Sequence, residues 1–212
     1  MRIGLLGGTF NPIHSGHLHI AEEVQKSCHL DQVLFIPTCR PPHKDLAADI
    51  PFDQRLEMVD IALADYPCFF SCDIEGRRGG HSYSVETLQQ LHAEHPQDEY
   101  FFIMGMDSFQ ELSLWKDYAR LFDFAHIVVT ARPGFAGTIQ ELLPVAIAGR
   151  FCYDSDSQNL QCETGFSLIT VAHTCRDISS TDIRQKMAEG HDVGGQVPRA
   201  VIEYIKTHHL YS

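Results

Sequence analysis

Short runs of apolar, β-branched and aromatic residues recur along this chain, at 3–6, 33–36, 69–70, 100–104, 127–130 and 168–171, with segments of helical period between most of them. Runs this short read as strands, and the segments between them are long enough to carry the chain back to the same end of a sheet. Phe52, Leu56, Val59 and Leu63 follow a four-three-four spacing that predicts one buried helix face, and Val85, Leu88 and Leu91 repeat every three residues. Strand alternating with helix predicts an α/β fold: a doubly wound, mostly parallel sheet with helices on both faces. From 134 to 165 the pattern weakens, and an irregular helix with a strand or extended piece is expected there. Two helices close the chain, one opening at Ser179-Ser180-Thr181 and one after Pro198, with Val201, Ile202 and Ile205 on one side.

With 212 residues and 44% hydrophobic content the chain can bury one sizeable core, so a single domain over 1–212 is expected. The net charge of −12 repels nucleic-acid phosphate and anionic membrane alike. Neither is expected as a partner, and a phosphate ligand would need a local cluster of positive groups. Seven cysteines form no CxxC pair, and their odd number suits a reduced, cytoplasmic compartment. The N-terminal apolar stretch is too short for a signal segment, and 18 consecutive apolar residues occur nowhere.

In a doubly wound sheet, ligands bind beyond the carboxyl ends of the strands, where the strand order reverses. The string GGTFNPIHSGH, residues 7–17, follows the first strand directly. Gly7 and Gly8 remove side chains and let backbone N–H groups approach an anion. This is neither GxGxxG nor GxxxxGK[ST], so the dinucleotide and Walker readings fall away. His14 and His17, three apart on a first helical turn, share one side near the positive dipole end. The alternatives are that His17 packs and caps while His14 is a plain loop residue, or that both bind zinc, for which a third nearby ligand is missing.

GGTFNPIHSGH resembles the (H/T)xGH signature of the nucleotidylyltransferase superfamily, and ISSTDIR at 178–184 resembles its ISSTxIR signature. PPHK at 41–44, SYSVETL at 82–88, MGMDS at 104–108, LWKDY at 114–118 and ARPG at 131–134 are similar to the bacterial nicotinate-nucleotide adenylyltransferases. The resemblance spans all but about 135–165. It implies a Rossmann-like fold, attack of the 5′-phosphate of nicotinate mononucleotide on the ATP α-phosphorus, release of pyrophosphate and no covalent enzyme intermediate. It further implies a divalent metal, normally Mg²⁺, held mostly by phosphates and water, with no protein ligand assigned.

Carried onto these positions, the resemblance assigns catalysis to His14, His17, Lys44 and Arg184. ATP would meet Gly7, Gly8, Thr9, Phe10, His14, His17, Gly105, Asp107, Ile178, Ser180, Thr181 and Arg184. The mononucleotide would meet Lys44, Tyr83, Ser84, Trp115, Lys116 and Arg132. Several have a plainer reading. Ser179 or Ser180 can cap the helix that follows, with Asp182 or Gln185 in the reciprocal role. Arg184, read as a cation in the first helical turn, opposes the macrodipole unless an anion binds there, but it could pair with a surface carboxylate. Lys44 could be a solvated loop lysine, and Asp107 an N-cap rather than a group that meets ribose or a metal-bound water. Trp115 could be core, and Ser84 a simple helix cap.

A different transferase of the superfamily, such as a nicotinamide mononucleotide or pantetheine-phosphate adenylyltransferase or a cytidylyltransferase, is the near rival. A non-catalytic nucleotide-binding module is the distant one, disfavoured by the joint presence of His14, His17, Thr181 and Arg184. HSGH also resembles class I aminoacyl-tRNA synthetases, yet the chain is short, acidic and without a KMSKS-like loop. Oligomeric state stays open, a homo-oligomer included.

Overall fold

A computed structural model describes residues 1–41, 50–131, 138–172 and 178–211. The expected strands form as β1 (Arg2–Gly8), β2 (Gln32–Pro37), β3 (Phe69–Ser71), β4 (Glu99–Gly105), β5 (His126–Ala131) and, later, β8 (Ser167–Ala172). Between and after them lie α1 (Ser15–Ser27), α2 (Phe52–Leu63), α3 (Ile74–Arg78), α4 (Ser84–Glu94), α5 (Met106–Gln110), α6 (Val145–Ala148), α7 (Ser180–Ala188) and α8 (Arg199–Thr207). Short 3₁₀ turns occupy Leu112–Leu114, Tyr118–Asp123 and Ile139–Leu142.

The sheet has eight strands in the order β3-β2-β1-β4-β5-β8-β7-β6, and the pairs from β3 through β8 are parallel. Strand alternation divides the core. Leu6, Phe35, Phe101, Ile103 and Val128 face α1, α2 and α8, whereas Ile3, Leu5, Tyr100, Phe102 and Val129 face α4 and α5. Each fully buried aliphatic or aromatic side chain of this kind stabilises the fold by about 1.5–3 kcal/mol. The predicted face of α4 is seen as such, with Val85, Leu88 and Leu91 all buried. Pro198 opens α8 at its N-cap and Val201 and Ile205 are its buried pair, with Ile202 only partly covered.

Two expectations need correction. On α2 the buried set is Arg55, Met58, Val59, Ala62 and Leu63, while Phe52 and Leu56 are only partly covered. The reason is local: Phe52 turns onto α3, where a Cβ on Gly76 would lie 2.2 Å from its ring, so the helix presents the next residues inward. An apolar pattern also has no place for a buried arginine. In the weak region the described residues hold two strands rather than one, β6 (Phe151–Asp154) and β7 (Asn159–Cys162), an antiparallel hairpin that extends the sheet beyond β8. Its strands are only four residues long, below the length at which alternation becomes legible.

Candidate active site

Strand order reverses between β1 and β4, which puts the carboxyl-end crevice at Gly7–Gly8 and Gly105. A cleft of about 420 Å³ opens there. A Cβ on Gly7 or on Gly105 would meet nothing within 4 Å, so these glycines leave room in the crevice rather than relieve packing. Gly8 differs, since a Cβ there would come within 3.0 Å of the Phe10 ring. Phe10 takes a left-handed backbone (φ 48°) and is 1% exposed, so it supports the loop from behind and does not line the cleft.

The two histidines stack on each other, ring centroids 3.6 Å apart at 22°, and Phe10 meets His17 edge-on at 5.0 Å. His14 occupies the N-cap of α1, and its backbone N–H donates to His17 Nδ1 at 3.3 Å. With Nδ1 accepting, neutral His17 carries its proton on Nε2 and can donate there. Burial holds both rings neutral: His14 is pushed down to about 4, and His17 well below the usual histidine value, the His14 ring adding to the effect. His17 lines the cleft, whereas His14 lies behind it at 6% exposed with Nδ1 unpartnered among the described residues. The pair therefore offers hydrogen-bond donors rather than full positive charges.

From the other end of the sequence, α7 docks onto this same loop. Ser179 is its cap, Oγ accepting from the Asp182 N–H at 3.1 Å, which frees Ser180 to donate to the Pro12 carbonyl at 2.9 Å. Arg184 donates to the Asn11 carbonyl at 2.9 Å and reaches back to Thr181 Oγ1 at 3.3 Å. Because α7 starts at Ser180, Arg184 belongs to its second turn, not the first; the guanidinium nonetheless folds toward the N-terminus. Among the described residues its partners are neutral, so the surface-carboxylate reading is not what forms. Ile178 is partly buried beside Gly16. These α7 residues flank the described cleft without lining it.

The opposite wall carries the expected mononucleotide residues Tyr83, Ser84, Trp115 and Lys116. Tyr83 is the N-cap of α4 and Ser84 its first residue; no side chain caps this terminus, which leaves its leading N–H groups for water or a ligand. Trp115 is both core and wall, packing edge-on against Phe102 at 6.3 Å while half-buried. Lys116 differs from expectation: its Nζ pairs with Glu86 at 2.7 Å and lies 4.4 Å above the Tyr83 ring, and Glu86 raises its pKa. Asp107 is exposed in the first turn of α5, whose N-cap is Gly105, so the capping role is not the one adopted. Thr9 lines the cleft. Lys44 and Arg132 lie outside the described residues.

Sequence reasoning missed a polar network behind this wall. Thr87 Oγ1 donates to Glu75 Oε1 at 2.8 Å and accepts from Arg78 at 2.9 Å, and Glu75 and Thr87 both line the cleft. Thr87, polar between Val85 and Leu88, was the available signal. Among the described residues no group of three or more His, Cys, Asp or Glu could hold a metal ion, and no helix is long and apolar enough to cross a membrane.

Comparison with known proteins adds an independent line. The family model for cytidylyltransferase-like proteins matches residues 5–186. A protein of Syntrophotalea carbinolica named "Probable nicotinate-nucleotide adenylyltransferase" is 51% identical over 212 residues, covering 100% of this chain and 97% of that one. A protein of the same name from Geotalea daltonii is 49% identical over 213 residues, covering 100% and 99%. Among solved structures, a Plasmodium falciparum nicotinic acid mononucleotide adenylyltransferase complexed with NaAD superposes with a TM-score of 0.75 at 17% identity, covering 99% of this chain and 97% of that one.

Proposed function

Since the chain belongs to the cytidylyltransferase-like family and, within it, to the nicotinate-nucleotide adenylyltransferases, we propose that it transfers AMP from ATP to the 5′-phosphate of nicotinate mononucleotide. The products are nicotinate adenine dinucleotide and pyrophosphate, a step of NAD biosynthesis. One observation supports the assignment of roles: α7 is hydrogen-bonded through Ser180 and Arg184 to the loop that leads into His17, at the strand-order reversal between β1 and β4.

Catalysis then rests on placing two anions in line and on donors aimed at the charge that builds on phosphorus. The mononucleotide phosphate oxygen forms a bond to the α-phosphorus as the bond to the bridging oxygen of pyrophosphate breaks. His17 donates from Nε2 to a non-bridging α-oxygen, and the Gly7–Gly8 backbone lies close to the same phosphate. Thr181, Ser180 and Arg184 receive the β- and γ-phosphates that leave, and Lys44 is assigned to the same phosphates. Arg184 needs no deprotonation for this, and its bonds to neutral acceptors leave its charge available to phosphate.

Gly105 and Asp107 meet the ATP ribose. Trp115 stacks on the pyridine ring, the N-terminus of α4 at Ser84 receives its carboxylate, and Arg132 is assigned to the same mononucleotide. Mg²⁺ suits this donor set: it retains waters and binds substrate phosphates, and the described residues form no cage of their own. Asp107, exposed beyond β4, is the carboxylate that would meet the ion through a water. When bound, the ion offsets phosphate charge. The whole chain, 1–212, acts as one nucleotidylyltransferase domain in the cytoplasm. Purified protein with ATP, Mg²⁺ and nicotinate mononucleotide should yield one dinucleotide per pyrophosphate; finding no dinucleotide at any Mg²⁺ concentration would refute the proposal.

A further inference from the structure

The buried face of α2 contains a cation to which the adenylyl-transfer reading gives no role. Arg55 is 0% exposed, and its three nitrogens donate to three separate pieces of backbone. Nη1 donates to the Thr9 carbonyl at 2.7 Å, Nε to the Ile50 carbonyl at 3.3 Å and Nη2 to the Cys39 carbonyl at 3.4 Å. All these acceptors are neutral, and burying a cation against neutral dipoles costs stability that a methionine in its place would not. A residue kept at such a cost invites a functional account, and its acceptors point to one.

Thr9 lies on the loop assigned to ATP. Cys39 belongs to a short segment that bridges the two substrate loops. At one end of it, the Thr38 N–H donates to the Gly8 carbonyl at 2.8 Å. At the other, Ser82 Oγ accepts from the Cys39 N–H at 2.9 Å and the Arg40 N–H at 3.3 Å, while the Ser82 N–H donates to the Arg40 carbonyl at 2.9 Å. Ser82 directly precedes Tyr83 and Ser84, the start of the mononucleotide wall. A continuous chain of hydrogen bonds therefore runs from the ATP loop through Arg55 and segment 38–40 to the mononucleotide loop. The guanidinium adds a second link beside the Thr38–Gly8 bond, because its planar fork can serve Thr9 and Cys39 at once, which an ammonium cannot do in the same geometry.

We propose that Arg55 is a positioning residue that holds the ATP loop and the mononucleotide loop in one register, so that binding of either nucleotide favours binding of the other. The inference rests on the adenylyltransferase reading for the identity of the two nucleotides. Coupling of this kind is reciprocal and is measured as the factor by which each ligand tightens the other.

The test uses α,β-methylene-ATP, whose bridging carbon prevents transfer, titrated calorimetrically with and without saturating nicotinate mononucleotide. Wild type should bind the analogue at least ~5-fold more tightly when the mononucleotide is present, the lower end of ordinary coupling factors. Arg55→Lys should weaken each ligand alone by about 10-fold, one charged hydrogen bond's worth, and lower the coupling factor to less than half its wild-type value. Ser82→Ala supplies the readout that a purely structural role would not move. It lies on the mononucleotide side, yet it should weaken the ATP analogue, and that effect should shrink in the Arg55→Lys background. If Ser82→Ala leaves the analogue's affinity unchanged, or Arg55→Lys lowers the melting temperature with the coupling factor intact, the inference is overturned. Failure of the functional reading would look different, as absence of dinucleotide from wild type with ATP itself.

Discussion

His17 is where residue chemistry and function meet most closely. Its Nδ1 is occupied by the His14 N–H, its ring is fixed between His14 and Phe10, and its remaining nitrogen is the one left to the cleft. Removing one preorganised donor of this kind costs about 100- to 1,000-fold in kcat. His17→Ala should show such a loss with its unfolding transition preserved, and near-normal turnover would remove His17 from the mechanism. The same burial makes the histidine pair an acid liability. His14 titrates near 4 when folded and at its ordinary value of about 6.5 when unfolded, so between those limits the unfolded chain holds the extra proton. Stability is therefore full above pH 6.5 and falls as pH drops toward 4, by up to about 3 kcal/mol from this residue. Urea unfolding of wild type and His14→Gln across that window should show a shallower slope in the variant; parallel slopes would mean that His14 titrates normally in the folded protein.

At the scale of elements, the proposed function gives the N-termini of α4 and α7 the two ends of the reaction. That of α4 has no side-chain cap and begins at Ser84, and the Lys116 ammonium next to it is already paired with Glu86. The contrast between acid and amide thus falls mainly on backbone donors. Nicotinate presents only acceptors to them, whereas the amide's NH₂ would meet them donor to donor, leaving groups unpaired at about 1–3 kcal/mol each. Two such losses give at least ~100-fold preference for nicotinate over nicotinamide mononucleotide in kcat/KM. Equal values for the two at fixed ATP and Mg²⁺ would contradict the carboxylate pocket. The start of α4 was legible because SYSVETL joins a polar start to an apolar repeat. The Lys116–Glu86 pair was not, since its members are 30 residues apart and nothing local ties them. Arg55 escaped for a related reason: a hydrophobic period registers apolar positions, and its role is defined by three carbonyls that only the tertiary fold gathers.

For the whole molecule, strand and helix alternation was enough to anticipate a parallel sheet with helices on both faces, and the reversal between β1 and β4 places GGTFNPIHSGH and Gly105 at one crevice. What sequence could not supply was that ISSTDIR would dock on Asn11 and Pro12, since hydrogen bonds between residues 168 and 173 positions apart leave no trace in local pattern. The short β6–β7 hairpin was equally illegible, its four-residue strands being too brief to declare a period. On the proposed function, transfer between the two bound nucleotides is direct, with no side chain acting as nucleophile. The most direct test is the stereochemical course at the α-phosphorus, followed with ATP bearing a single chiral α-phosphorothioate and nicotinate mononucleotide as acceptor. One in-line displacement predicts inversion of configuration in the dinucleotide; retention would require two displacements through an enzyme-bound adenylyl group and would contradict direct transfer.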